Sequence, residues 1–467
     1  MPASRQTRTL EPRPGTARRT HGSDGPPGQP RPHTAGIASP GKAARGHTLA
    51  DPHTGGPSRF QLVSCEEALA TLKAFKPLTT EQVSVEKAAG RVLARDLRAA
   101  LDLPHFTRSY MDGYAVRASD TALATASSPA RLRVVGAIEM GRAPRVRIAR
   151  GETCRIPTGG MLPRGADTVV MVEHTFEPGD GHVEVRHSAR PGEHVMRRGV
   201  DVRRGQLLFR RGHRIRPRDL GALAGVGMSR VMVYRQPRVA ILATGDEIVP
   251  PEVTPKPGQV RSINQYALGA MIVAAGGVAL DCGVIPDRRA AIARALARAL
   301  RNADLVLISG GSSVGVKDLT PAVISTMPRA KILVHGIRVK PGKPTIIARA
   351  GGKPVLGLPG HPVSALVVFE LFGTPLLRQI GGEPPAQALV PRWRMPARLV
   401  TPVVSQLGRE DHVRVALEET DDGWLARPLG GGSAEIFDLV HADGMVRIGP
   451  ESAGLVAGSH VVVRLFG

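Results

Sequence analysis

Aromatic side chains are scarce in this chain: 9 Phe, 4 Tyr and 2 Trp among 467 residues. Stacking platforms for single-stranded nucleic acid rest on exposed rings, so this shortage argues against one. Cysteine is scarcer still. Cys65, Cys154 and Cys282 stand far apart, with no CxxC and no metal-ligand spacing. An odd, sparse count excludes a disulfide framework and fits a reducing cytoplasm. No apolar run reaches the roughly 18 residues of a membrane-spanning helix. The N-terminus lacks the apolar core of a secretory signal.

Lysine is also rare. Of 63 basic residues only ten are Lys, so the net charge of +23 is an arginine bias. The arginines are scattered, without a block of like charge, which weakens the nucleic-acid reading that such a net charge invites. The bias makes each lysine informative. Five of the ten fall between Lys317 and Lys353. A lysine kept where arginine is the default suggests a need for a compact point charge instead of a planar fork.

What the chain does have is 42% apolar residues, enough for ordinary cores, and a length that allows three or four domains. Residues 1–58 are rich in Pro, Gly, Arg, His, Ser and Thr, and read as a disordered tail. Order is expected from about residue 59. Ser64 followed by Glu67 and an apolar run reads as a capped helix start. Residues 85–97 carry a second helix-like pattern. Residues 101–198 alternate in short β runs between Gly, Pro and Asp turns. Residues 199–235 return to helical patterning, with Pro217 in a first turn. Residues 236–385 alternate strand and helix, which predicts a doubly wound parallel sheet with helices on both faces. Residues 386–467 return to short β runs, as in a small antiparallel barrel. The expected fold class is therefore multidomain, α/β plus β.

Three glycine-rich segments fall in that α/β region: SGGSSVGVKD from Ser309 to Asp318, KPGKP from Lys340 to Pro344, and LPGHPVSA from Leu358 to Ala365. Glycines and hydroxyls straight after a strand let backbone N–H groups approach an anion closely. Ser309, Gly310, Gly311, Ser313 and Gly315 supply the first cradle, and Pro359, Gly360 and Ser364 belong to the third segment. Asp318 and Asp246, the latter in ATGDE after residues 238–243, are carboxylates placed for a hard divalent cation. Taken alone, Asp246 reads as a turn or helix-capping residue. Lys340 and Lys343 present two cations on a proline-stiffened turn, suited to a phosphate or oxyanion. His361 reads as an ordinary loop histidine, and Asp112 in SYMDGYAV as a turn residue.

In this order, SYMDGYAV, RIPTGGMLPRGADTVVMVE, ATGDE, SGGSSVGVKD, KPGKP, LPGHPVSA and GREDHVRV resemble the MoeA/gephyrin family, from about residue 60 to the end. The resemblance implies a four-part subunit: a helical dimerisation part from residues 59–100 and 199–235, an inserted β domain over 101–198, a MogA-like α/β molybdopterin-binding domain over 236–385, and a C-terminal β barrel over 386–467. It implies a cytoplasmic homodimer whose cleft lies between the α/β domain of one subunit and the β domain of the other. The implied substrates are molybdate and adenylated molybdopterin, with AMP released and magnesium or a similar divalent cation required. A molybdopterin adenylyltransferase is the implied pathway partner; no membrane and no nucleic acid are.

By the same resemblance Asp246 and Asp318 are the metal-side acids, Lys340 and Lys343 line the anion pocket, and Asp112 and Thr158 come from the inserted domain. Ser313 and Ser433, with Arg409 or Arg414, are molybdate contacts. Four departures mark a divergent branch. Val200 stands where an acid is commoner, His361 where Asn is, SYMDGYAV lacks the usual SAM order, and GGSAEI replaces the usual SG pairing. The alternatives are a non-catalytic gephyrin-like scaffold, a tungstate-preferring variant, and a nucleotide-cleaving enzyme sharing only the α/β domain.

Overall fold

The computed structural model describes residues 62–310 and 319–466. Helix α1 (Cys65–Leu72) starts at a reciprocal cap. The Glu67 amide donates to Ser64 Oγ at 3.1 Å, and the Ser64 amide donates to Glu67 Oε2 at 2.6 Å. Its Ala68 and Leu72 are buried among residues of the α/β core.

The helix expected over residues 85–97 does not form. Val85–Lys87 is a single 3-10 turn, Gly90 adopts φ +74, and Leu97–Arg98 is a strand paired with Leu207–Phe209. Val85, Ala88, Leu93 and Leu97 imitate a helical repeat. They reach one core with Ile215, Leu223 and Val231 through isolated bridges such as Leu93 to Val233. Residues 199–235 hold one helix, α2 (Pro217–Gly225), flanked by the strands Leu207–Phe209 and Arg230–Tyr234. The latter pairs with Thr80–Ser84.

Between these stretches lies a six-stranded mixed sheet in the order Thr168–Met171, Gly113–Val116, Glu152–Ile156, Ala130–Ala137, His182–Val185, Thr175–Phe176. Alternation along Gly113–Val116 sends Tyr114 and Val116 to one apolar cluster and Ala115 to another, so both faces are covered. Gly113 lies so close to the Val170 carbonyl that a Cβ would collide with it. This close approach fixes the turn that carries Asp112.

The α/β domain is built on β1 (Arg238–Thr244), β2 (Val278–Ile285), β3 (Leu305–Ser309), β4 (Lys331–His335), β6 (Ile346–Ala350) and β7 (Lys353–Leu358), with a short extra strand β5 (Val339–Lys340) before β6. The sheet order is β2-β1-β3-β7-β6-β4. The first four strands are parallel, but β6 runs antiparallel to both β7 and β4. The all-parallel expectation fails there because Gly351 and Gly352, both at positive φ, close a two-residue hairpin between β6 and β7. Both faces are apolar: Val239, Ile241, Leu305 and Leu307 enter one core, while Ala240, Leu242, Val306 and Ile308 enter the other. Helix α3 (Asn264–Ala274) covers the first face with Leu268 and Ile272. Helix α4 (Arg289–Asn302) covers the second with Ile292 and Leu296. The run Pro362–Ile380, which joins two helices through a π turn, has the length and composition of a membrane span but is 89% buried as a core helix.

The C-terminal strands β8 (Arg394–Leu399), β9 (Glu410–Thr420), β10 (Gly423–Pro428), β11 (Gly444–Ile448) and β12 (His460–Leu465) close on themselves in the order β9-β10-β8-β12-β11 and back to β9. The barrel is antiparallel except for the β8–β10 pair. Strand β5 leaves the α/β domain and pairs in parallel with Glu410 and Asp411 at the start of β9.

Candidate active site

The parallel strands β1, β3 and β7 end side by side, and their loops enclose a cavity of about 480 Å³. Thr244, Glu247, Asn264, Asp287, Ser309 and Gly360 are among its walls. Asn264, the first residue of α3, holds the loops together: its Nδ2 donates to Ser309 Oγ at 2.7 Å and to the Gly360 carbonyl at 2.9 Å. Gly310 sits at φ +105 against the Thr244 carbonyl, where a Cβ would collide. Its glycine is therefore a geometric requirement. Asp246 is exposed beside this cavity, and its Oδ1 accepts from the Asp287 amide at 3.0 Å.

These side chains offer oxygens: two hydroxyls, three carboxylates and an amide carbonyl. Among the described residues, Thr244 Oγ1 and Asn264 Oδ1 are buried without a hydrogen-bond partner. Orphaned oxygens among carboxylates at strand ends fit a hard divalent cation such as magnesium. Gly311, Ser313, Gly315 and Asp318 lie outside the described residues.

A second cavity, of about 570 Å³, adjoins the first, and Pro344, Pro359 and His361 line both. Lys340, Lys343, Ser364, Arg409 and Ser433 also line the second. The turn bearing the lysines is fixed by Gly342, at φ +121, where a Cβ would collide with Val368. Lys340 lies on β5, while the Lys343 carbonyl accepts from the Ile337 amide at 2.9 Å.

Arg409 and Arg414 differ in what they touch. Arg409 makes a two-pronged pair with Asp411, Nε to Oδ1 at 2.7 Å and Nη2 to Oδ2 at 3.0 Å. Arg414 donates through Nη2 to the Gly430 and Gly431 carbonyls, at 3.0 Å each, and holds the loop that carries Ser433. That loop closes on the α/β domain. His361 Nδ1 lies 2.7 Å from Ser433 Oγ, and the Val363 amide donates to the Ser433 carbonyl at 3.0 Å.

Asp112 and Thr158 meet each other: the Thr158 amide donates to Asp112 Oδ1 at 2.7 Å. Neither lines the two cavities above. The sequence reading did not single out Asn264, Glu247, Asp287 or Asp411. Asn264 left one signal, a polar side chain at the first helical position after a strand and loop. Asp411 left another, an acid two residues after Arg409 at the start of a strand.

Three family models match the chain in order: the MoeA N-terminal region (domain I and II) over residues 63–227, a probable molybdopterin binding domain over 240–379, and the MoeA C-terminal region (domain IV) over 396–466. The chain is 37% identical over 306 residues to a molybdopterin molybdenumtransferase of Nostoc sp., covering 65% of this chain and 70% of that protein. It is 30% identical over 396 residues to the molybdopterin molybdenumtransferase of Haemophilus influenzae, covering 84% and 95%. Two solved structures of molybdopterin biosynthesis MoeA proteins from Pyrococcus horikoshii superpose with TM-scores of 0.74 at 39% identity and 0.75 at 29%. Each comparison covers 87% of this chain and 100% of the other.

Proposed function

This chain belongs to the MoeA family, with a role in molybdenum-cofactor biosynthesis, and from that premise we propose that it inserts molybdenum from molybdate into adenylated molybdopterin and releases AMP. The observation that carries the reading is the pair of adjoining cavities that share Pro344, Pro359 and His361. One offers glycine backbone and oxygen donors, as an adenylate phosphate requires. The other offers lysines and hydroxyls, as an oxyanion requires.

The loops at Gly310 and Gly360 bring bare backbone to the phosphate, and Asn264 keeps them in register. Asp246, with the unpartnered Thr244 and Asn264 oxygens of the adjoining cavity, would hold a divalent cation together with Asp318, the second acid of the family resemblance. When bound, magnesium supplies Lewis-acid polarisation of the phosphate oxygens. Lys340 and Lys343 gather molybdate beside that phosphate and stabilise the negative charge that develops as the adenylate bond breaks. A molybdate oxygen attacks the adenylate phosphorus and the bridging oxygen leaves with the molybdopterin phosphate; the dithiolene sulfurs then bond the molybdenum, its bond to the attacking oxygen breaks, and that oxygen departs as part of AMP. His361 and Ser433 form part of the wall between the two substrates.

We assign Asp112 and Thr158 to the cleft of a second subunit in a homodimer, because they lie away from the cavities of their own chain. A molybdopterin adenylyltransferase would supply the substrate, in the cytoplasm. Purified protein is to be incubated with adenylated molybdopterin, magnesium and either molybdate or tungstate, with AMP release and reconstitution of an apo-enzyme as readouts. Molybdate-dependent AMP release is expected. Release with neither oxyanion would overturn the assignment.

A further inference from the structure

On the far side of β9 from the lysines, α1, the core helix and the barrel enclose a further space of about 530 Å³, which shares His412 with the lysine-lined cavity. Cys65, Glu410 and His412 meet on its wall. One thiol, one carboxylate and one imidazole ligand atom all lie within 4.8 Å of one another, and no other described residues bring three such groups so close. His412 Nε2 is 2.8 Å from Glu410 Oε1. The three residues retain only 8%, 9% and 6% of their accessible surface. We propose that Cys65, Glu410 and His412 bind one zinc-type divalent cation, with a fourth coordination position open to the cavity.

The local structure prepares this convergence. Glu410 and His412 are two residues apart on β9, and the period of a strand places both on one face. Cys65 is the first residue of α1, whose reciprocal cap fixes the direction in which the side chain leaves the helix. Zinc binds sulfur at about 2.3 Å and imidazole nitrogen or carboxylate oxygen at about 2.0–2.2 Å. Ligand atoms within 4.8 Å of each other therefore close onto a tetrahedron through side-chain shifts of about 1 Å. Arg447 Nη2 sits 2.7 Å from Glu410 Oε2. It occupies the outer carboxylate oxygen and leaves Oε1 directed at His412, the arrangement by which a neighbour orients a metal-binding carboxylate.

Charge selects the class of ion. Lys73, Arg394, Arg447 and Arg464 line the same space. A divalent cation held by neutral ligands would be repelled here, whereas thiolate, carboxylate and a doubly charged cation sum to zero. A hard ion such as magnesium finds one carboxylate and no other oxygen in the cluster, so a borderline-soft ion is preferred. Cys65 is a free thiol, and a cysteine thiol ordinarily carries its proton at neutral pH. Binding forms the sulfur–metal bond, breaks S–H and releases that proton to solvent. The bound ion would tie the first helix to the barrel across 345 positions of chain, the difference between residues 65 and 410.

Cobalt(II) is the probe, because only thiolate ligation gives a sulfur-to-cobalt charge-transfer band in the near ultraviolet. Full-length protein is stripped with chelator, freed of it, and titrated with cobalt and then zinc. One equivalent should develop the band together with the visible spectrum of tetrahedral cobalt, and zinc should displace both. Cys65→Ser and His412→Ala should lose the band, whereas Cys154→Ser and Cys282→Ser should keep it. Thermal unfolding in chelator checks folding: Cys65→Ser should match the wild type there, but not gain the rise in midpoint that zinc gives the wild type. If no thiolate band appears, or if Cys65→Ser keeps it, the proposal fails. A zinc-induced rise that is equal in wild type and Cys65→Ser assigns the ion to the oxygen donors of the strand-end cavity and overturns it as well.

Discussion

His361 Nδ1 and Ser433 Oγ lie 2.7 Å apart and join the α/β domain to the barrel at the wall between two cavities. A single side-chain hydrogen bond of this kind contributes about 1 kcal/mol to stability. Its larger effect should be on the separation of the two substrates.

His361→Ala should therefore leave the unfolding midpoint nearly unchanged and lower molybdate-dependent AMP release about tenfold, a barrier change of about 1.4 kcal/mol. Steady-state AMP assays beside thermal scans test this. A large fall in midpoint with unchanged kcat/KM would show that the contact is merely structural.

Gly342→Ala should be far more damaging than its size suggests. Position 342 has φ +121, and the added methyl meets Val368. Strained backbone and overpacking each cost about 1–3 kcal/mol. Urea unfolding should show a loss of at least about 2 kcal/mol, and activity should fall further because the lysine turn is displaced.

Asp219 supports a prediction with pH. Burial alone would raise its pKa, but hydrogen bonds from the Arg216 side chain, the Arg216 amide and His213 more than reverse this and hold the carboxyl well below its usual range. A depressed carboxylate stabilises the fold above its unfolded pKa of about 3.9, and that contribution is lost as pH falls through the folded value. Asp219→Asn should cost about 2 kcal/mol near neutrality, less than a wholly buried pair because Arg216 is half-exposed. The gap between variant and wild type should narrow as pH is lowered from about 5 to about 2. A constant gap across that range would contradict the assignment.

Glu383 is 3% exposed and is shared by Arg214, Arg378 and Arg392. Burial lowers the pKa of both Arg214 and Arg378, and Glu383 partly compensates. Glu383→Gln leaves three guanidinium groups without their acid and should cost about 3–5 kcal/mol in chemical denaturation.

The proposed two-subunit cleft predicts complementation. Asp112→Asn and Asp318→Asn should each be inactive as homodimers. Mixed and exchanged in equal amounts, half of the dimers are hybrids, each with one intact cleft, so about a quarter of wild-type activity should return. No recovery despite proven subunit exchange would place the whole site in one chain.

Much of this molecule was legible in its sequence. The cap at Ser64 and Glu67, the strands at residues 238–244 and 305–309, and the helix after Arg288 follow from side-chain period and capping chemistry, which are local. The false helix over 85–97 shows the limit of period alone, since apolar spacing near 3.6 also arises when a twisting, bridged segment packs one side inward. The antiparallel turn at Gly351-Gly352 has the residue type of a tight hairpin, but it sits inside a strand–helix alternation whose overall pattern predicts parallel strands. The glycine loops were legible as an anion cradle, but Asn264, which holds two of them, was not, because hydrogen bonds across 45 and 96 positions leave no local pattern. Cys65 belongs to the same class. Its partners are 345 and 347 residues away by subtraction, beyond the reach of any spacing rule.

Strand β5 has a mechanical consequence. Lys340 is hydrogen-bonded into the barrel's sheet, whereas Lys343, three residues on, is tethered through its carbonyl to Ile337 at the edge of the α/β domain. The short turn between the two cations is therefore anchored at one end in each sheet. Their spacing is set by how the barrel docks on the α/β sheet, so a substitution that loosens that junction should alter the charge density of the cavity without touching either lysine.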